Sequence, residues 1–100
     1  MKPSDIYQRI LLHVCSVTGL NERDVLHGNV EECSDARSIL VQSLSLFFND
    51  LQIASMIGRT RRGVNFIRTH FDIRLKKWSV ANNWEAIRKR LRNDWGTTGK

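Results

Sequence analysis

A single proline, two cysteines and no long apolar run set the first limits on this 100-residue chain. Scarce proline, with only six glycines, leaves little room for extended disorder away from the two ends. Cys15 and Cys33 form no CxxC pair, and neither has a histidine at zinc-finger spacing, so no metal is expected. Cys15 falls among apolar residues, where a reduced thiol behaves as a small hydrophobe. No apolar stretch approaches the roughly 20 residues needed to cross a bilayer, and no signal-peptide pattern precedes the first predicted helix. The expectation is therefore no membrane association and a reduced, cytoplasmic, nucleoid-associated setting. Nothing alternates with period two long enough to suggest a strand, and no internal repeat is visible. His13, His27 and His70 fall on separate predicted elements. With no nucleophile–base pairing, Gly-rich phosphate loop or paired acidic motif, neither enzyme chemistry nor a cofactor is expected.

What remains is an ordinary globular composition, 41% hydrophobic and 26% charged, of a length that suits one domain with one core. A chain this short keeps much of its surface wet, so its core is expected to be compact or shared with a partner. The formal net charge of +6 is unevenly placed. Residues 1–57 carry four basic groups (Lys2, Arg9, Arg23, Arg37) against seven acidic ones, a balance of −3. Residues 58–100 carry twelve basic groups against three acidic ones (Asp72, Glu85, Asp94), a balance of +9. A back half of this sign suits a polyanion, nucleic acid first and an anionic membrane surface second.

Helical periodicity runs through the chain. Lys2-Pro3-Ser4 reads as a start, with Ser4 as the cap and Asp5 favourable near the positive end of the dipole, followed by Ile6, Ile10, Leu11, Val14 and Val17 and a stop at Gly19. Asn21 caps a short second helix that ends at Gly28 and turns Val25 and Leu26 inward, and 28–33 reads as a loop. Ser34 or Asp35 is expected to cap a third helix bearing Ala36, Ile39, Leu40, Leu44 and Phe47. A fourth spans 51–57 and a fifth runs from Arg61 to about Trp78. A break at 79–83 precedes a last helix, 84–95, with Trp84, Ile87, Leu91 and Trp95 on one stripe. Residues 96–100 are expected to fray. The predicted fold is all-α: a bundle of about six helices in one domain, residues 1–95, around a central helix-turn-helix.

That motif lies at about residues 50–70. Two helices cross steeply only if their contact positions obey size rules. Ala54 is small where the second helix comes closest, and Gly58 supplies a positive-φ turn. Val64 and Ile67 plug the gap, with Ile53 and Ile57 completing the inward set. The outward face then carries the chemistry. The start of the second helix in such a motif points into the major groove, where arginine pairs bidentately with guanine and asparagine with adenine. Arg61, Arg62 and Asn65 are the base-reading candidates. Gln52, Arg59, Thr60, Arg68 and Thr69 are candidates for phosphate contact, Thr60 also serving as helix cap. Arg74, Lys76, Lys77, Arg88 and Lys89 form a flanking basic set. Phe66 reads as partly buried, a thymine-methyl contact being the alternative. Gly63 costs roughly 1 kcal/mol relative to alanine inside a helix, which a close approach to DNA or to another helix would explain.

The order of elements, with Asp35-Ala36-Arg37-Ser38-Ile39-Leu40 on the third helix and Ile53-Ala54…Ile57-Gly58 at the turn, resembles the C-terminal DNA-binding domain of the bacterial replication initiator DnaA, within the Trp-repressor-like group. The resemblance covers about residues 6–75 and implies the helix-turn-helix fold and duplex DNA binding. After the turn the family reads close to Gly-Gly-Arg-Asp-His-Thr-Thr-Val. Here the run is Gly58-Arg59-Thr60-Arg61-Arg62-Gly63-Val64, so only Gly58, Arg59 and Val64 carry over, and the initiator's recognition sequence does not. The family's basic loop before the third helix is acidic here, Val30-Glu31-Glu32, and these 100 residues include no ATPase module.

The functional expectation is double-stranded DNA binding, as a transcriptional regulator or an accessory protein of replication or of a mobile element. A homodimer or a larger protein complex stays open. The rival class is a protein-interaction module that kept the fold without DNA binding, for which the acidic loop, the acidic front half and the three tryptophans speak. RNA binding through the basic tail is a third option.

Overall fold

The computed structural model describes residues 2–95. Among these, seven helices and no strand are found: α1 (Pro3–Thr18), α2 (Glu22–His27), α3 (Glu31–Leu44), α4 (Asp50–Ile57), α5 (Arg61–Thr69), α6 (Phe71–Arg74) and α7 (Trp78–Trp95). The expected all-α bundle stands, with one helix more than anticipated. The tail expected to fray, 96–100, lies outside the described residues.

The core is built around α3, which packs against α1, α2, α5, α6 and α7. Its Ala36, Ile39, Leu40, Val41 and Leu44 are buried together with Ile10, Leu11 and Val14 of α1 and Val25 of α2. The same core takes in Ile53, Ala54 and Ile57 of α4, Val64 of α5, Phe71 of α6, and Val80, Ile87 and Leu91 of α7. A helix covered on nearly every face must satisfy most of its polar groups internally, and on α3 Gln42 Oε1 is buried without a hydrogen-bond partner among the described residues. Ser38 and Ser43 donate to the Ser34 and Ile39 carbonyls at 3.0 and 2.8 Å. Arg37, buried on the same helix, donates from Nε to the Val25 carbonyl at 2.9 Å and from a terminal nitrogen to the Gly28 carbonyl at 2.5 Å. That fork ties the end of α2 to the centre of the molecule.

Four boundaries differ from expectation. Helix α1 is preceded by Lys2 without a side-chain cap, and Pro3 occupies its first position. Proline's fixed φ and missing N–H suit that position, which places Ser4 inside the first turn instead of at its edge. Helix α3 begins a turn earlier than Ser34: Val30 precedes it without a cap bond, and Glu31 and Glu32 sit in its first turn, where negative charge is favourable. The loop shrinks to residues 28–30. The long fifth helix is interrupted at His70. Thr69 Oγ1 donates to the Asn65 carbonyl at 2.8 Å, while the His70 ring nitrogen and backbone N–H both engage the Phe66 carbonyl. Local polar groups competing for helix carbonyls are a known way to stop a helix.

The expected break at 79–83 is absent. Helix α7 runs through it, because Val80 extends the buried stripe one turn upstream of Trp84, Ile87 and Leu91. Asn82 and Asn83 are turn formers by local preference, and packing overrides them. Phe47, expected on the third helix, lies beyond the end of α3 at Leu44, is 40% exposed and meets Trp95 edge-on at 5.2 Å.

Candidate nucleic-acid interface

Helices α4 and α5 form the expected helix-turn-helix, and each end is fixed by local chemistry. Asn49 and Gln52 make a reciprocal capping box at the start of α4, each side chain accepting from the other's backbone N–H at 2.9 Å. Gly58 ends α4 at φ 70°, in the left-handed region that a side chain resists. Thr60 Oγ1 then caps α5, accepting from Gly63 N–H at 3.0 Å. This cap also bears on Gly63. A Cβ there would stand 3.2 Å from Thr60 Oγ1, so within the chain the crowding neighbour is the cap hydroxyl and not another helix.

Buried Ile53, Ala54, Ile57 and Val64 join the two helices, with Ile67 packed against the cluster. The opposite side of α5 is exposed and carries Arg61, Arg62, Asn65, Phe66 and Thr69. Arg61 and Arg62 form no ion pair among the described residues. Together with Asn65 and Asp50 they line a shallow depression of 320 Å³. Phe66 does not bury as expected: it is 61% exposed and stacks on His70 with ring centroids 4.0 Å apart. The inward positions of α5 are already filled by Val64 and Ile67, which leaves the aromatic plate on the outer face.

The remaining candidates sit in different surroundings. Asn65 Nδ2 donates to Asp50 Oδ2 at 3.1 Å, and Arg68 donates to both Asp50 oxygens at 2.8 and 3.0 Å. These bonds, Arg68 first and Asn65 second, hold the Asp50 carboxyl below its ordinary range, and the same carboxylate raises Arg68. Gln52 is engaged by the capping box, and Thr69 by the Asn65 carbonyl. Arg59 is exposed and donates to the Leu26 carbonyl at 3.1 Å.

In the flanking basic set, Arg74 donates to Asp35 at 2.7 Å, and Lys77 pairs with both Glu31 and Asp35. The Glu31 contact, with Asp35 and its charge adding to it, raises the Lys77 ammonium. Arg88 lies 3.6 Å from Glu85 and 6.0 Å from the Trp84 ring centre. Lys76 and Lys89 are exposed without an ion pair among the described residues. Glu31, expected as part of an acidic loop, therefore belongs to α3 and holds two of these cations.

Asp50 was not anticipated as a site residue. Its only trace in the sequence is a carboxylate beside a capping residue, a pattern common to many helix starts. No group of three or more His, Cys, Asp or Glu among the described residues is placed to hold a metal ion. No described helix is long and apolar enough to cross a membrane. Compared with protein-family models, with curated proteins and with solved structures, the chain matches none.

Proposed function

We propose that this chain binds double-stranded DNA by laying α5 in the major groove, as a transcriptional regulator or an accessory protein of replication or of a mobile element. One observation carries the reading. Arg61 and Arg62 stand exposed and unpaired among the described residues, at the start of a helix whose opposite face is anchored by fully buried Val64. A rigid helix that presents unspent arginine forks from its first turn is the arrangement by which guanine edges are read. The Thr60 cap and the positive end of α5 favour a phosphate next to them. The resemblance to the DnaA C-terminal domain and the Trp-repressor-like group is part of the proposal, as kinship of fold. The target sequence is this protein's own, because the residues after Arg59 differ.

The test is selection from a random duplex library at near-physiological salt, with wild type and an Arg61→Ala/Arg62→Ala variant. The expected result is an enriched motif that the variant loses. Half-sites one helical turn apart, roughly 10 base pairs, would identify a dimer. Binding without enrichment would reduce the protein to a nonspecific DNA coat. A second reading, a protein-interaction module, draws on Trp78 and Ile73, 79% and 60% exposed. It takes over if wild type binds no duplex even at low salt.

A further inference from the structure

We infer that Asp50 makes Asn65 a reader of adenine by fixing which way its carboxamide faces, an inference that rests on the DNA-binding reading above. A free asparagine side chain can turn its amide over and offer either its oxygen or its nitrogen to a given point. Here that freedom is removed. Asp50 Oδ2 lies 3.1 Å from the Asn65 amide, and a carboxylate only accepts, so the Asn65 atom facing it must be Nδ2. Arg68 occupies both Asp50 oxygens at 2.8 and 3.0 Å, which keeps the carboxylate ionised, in place and locally neutralised. Its charge is thereby compensated before any phosphate comes near.

The consequence is a count of hydrogens. Nδ2 carries two, and one is committed to Asp50. The exposed remainder of Asn65 is one N–H donor and the Oδ1 acceptor. Adenine presents a matching pair in the major groove, the N7 acceptor and the N6 amino donor. Guanine presents two acceptors, N7 and O6. An unrestrained amide can turn its two N–H groups toward both, but this one has a single N–H left and would set its oxygen against O6. Asp50 touches no base in this scheme. It positions Asn65 and so excludes guanine, while Arg61 and Arg62 are the guanine readers on the same helix.

The library selection tests this directly when Asn65→Ala and Asp50→Asn are added to wild type. Wild type should enrich a motif with one position held to adenine. Asn65→Ala should make that position degenerate and keep the rest of the motif. Asp50→Asn, whose amide no longer dictates which Asn65 atom faces it, should admit guanine there. Replacing that adenine with 7-deazaadenine, which lacks the N7 acceptor, should weaken wild type roughly tenfold and leave Asn65→Ala unaffected. A purely structural role for Asp50 would weaken all sequences alike and would not move the preference at one position. An adenine that survives Asn65→Ala, or a position that Asp50→Asn leaves unchanged, overturns the inference while the DNA-binding reading stands. Wild type that binds duplex without any motif overturns the inference and leaves nonspecific DNA binding, whereas wild type that binds no duplex even at low salt removes both. Should Asp50→Asn fail to fold, the side-chain amide signals of Asn65 in the wild-type NMR spectrum give the answer. They should move with the acid titration of Asp50, and indifference to it overturns the inference.

Discussion

Replacing Arg37 should unfold this protein more readily than replacing any exposed basic residue. The guanidinium is buried on α3 and donates to the Val25 and Gly28 carbonyls, two acceptors at the end of α2. Burial, reinforced by the Arg59 and Arg74 charges, lowers its proton affinity, so the charge is held against a desolvation cost. Hydrogen bonds from a charged donor are worth about 1.5–3 kcal/mol each, and two give a gross gain of about 3–6 kcal/mol. Ordering a long side chain takes back up to about 2 kcal/mol. Arg37→Ala also leaves both carbonyls without their partner, so the net loss should be about 2–4 kcal/mol. At roughly 4–8 °C per kcal/mol for a domain of this size, the thermal midpoint falls by about 8–32 °C. Urea unfolding followed by circular dichroism measures the loss, and an unchanged m-value certifies that the same structure unfolds. The discriminating partner is Arg37→Met, which keeps most of the apolar stem and drops the fork. If the bonds outweigh desolvation, Met should be nearly as damaging as Ala. A Met variant as stable as wild type would refute the reasoning, because the buried charge would then cost as much as its bonds return.

Three further outcomes follow from local geometry. Gly58→Ala meets no atom within 4 Å, so its whole effect is conformational: about 1–2 kcal/mol lost in denaturant melts, from forcing a side chain into the left-handed region. Gly63→Ala should be close to neutral, since the roughly 1 kcal/mol of helix propensity it gains is offset by the cap hydroxyl 3.2 Å from the new Cβ; in a Thr60→Ala background the same change should stabilise by about 1 kcal/mol. The Asp94 carboxyl, held by Arg9 first and also by His13, lies below its ordinary value of 3.8. A depressed carboxyl contributes stability that is complete above that ordinary value and disappears as pH falls through the folded one, so Asp94→Asn should flatten the stability profile below about pH 4 and leave it parallel to wild type at neutral pH.

Periodicity and turn chemistry carried the parts of the fold that are decided locally. Asn21 and Thr60 cap the helices they precede, Gly19 and Gly58 take positive φ, and Val64 is fully buried. The errors fell where a distant partner outvotes a local preference. Asn82 and Asn83 continue a helix because Val80 has a place in the core, and no window around them contains that information. Phe66 read as buried because one aromatic on an amphipathic helix resembles another; only the filled core beneath α5 and the neighbouring His70 ring turn it outward. Among the site residues, Arg61, Arg62 and Asn65 were legible as outward positions of a helical wheel. Their partners were not, because the contact of Asp50 with Asn65 and Arg68 spans 15 and 18 residues and depends on how steeply α4 meets α5.

The same long-range pairing reshapes what the charge imbalance means. Counted along the sequence, the back half is a broad basic surface. In the folded chain, Asp50, Asp35 and Glu31 from the acidic front take up Arg68, Arg74 and Lys77, so these cations are already spent within the protein. The unpaired surplus is narrower and includes Arg61 and Arg62. Each cation that displaces a counterion from duplex DNA contributes close to one unit to the slope of log K against log salt. Arg62→Ala should therefore flatten that slope by about one if Arg62 meets a phosphate, or erase a base preference at constant slope if it meets guanine. Lys77→Ala should do neither, because its charge is answered by Glu31 and Asp35 before DNA arrives, and its effect should appear in unfolding alone. If Lys77→Ala flattens the slope as much as Arg62→Ala, those ion pairs open on binding and the front half acts as a competitor for the basic surface instead of a brace for it.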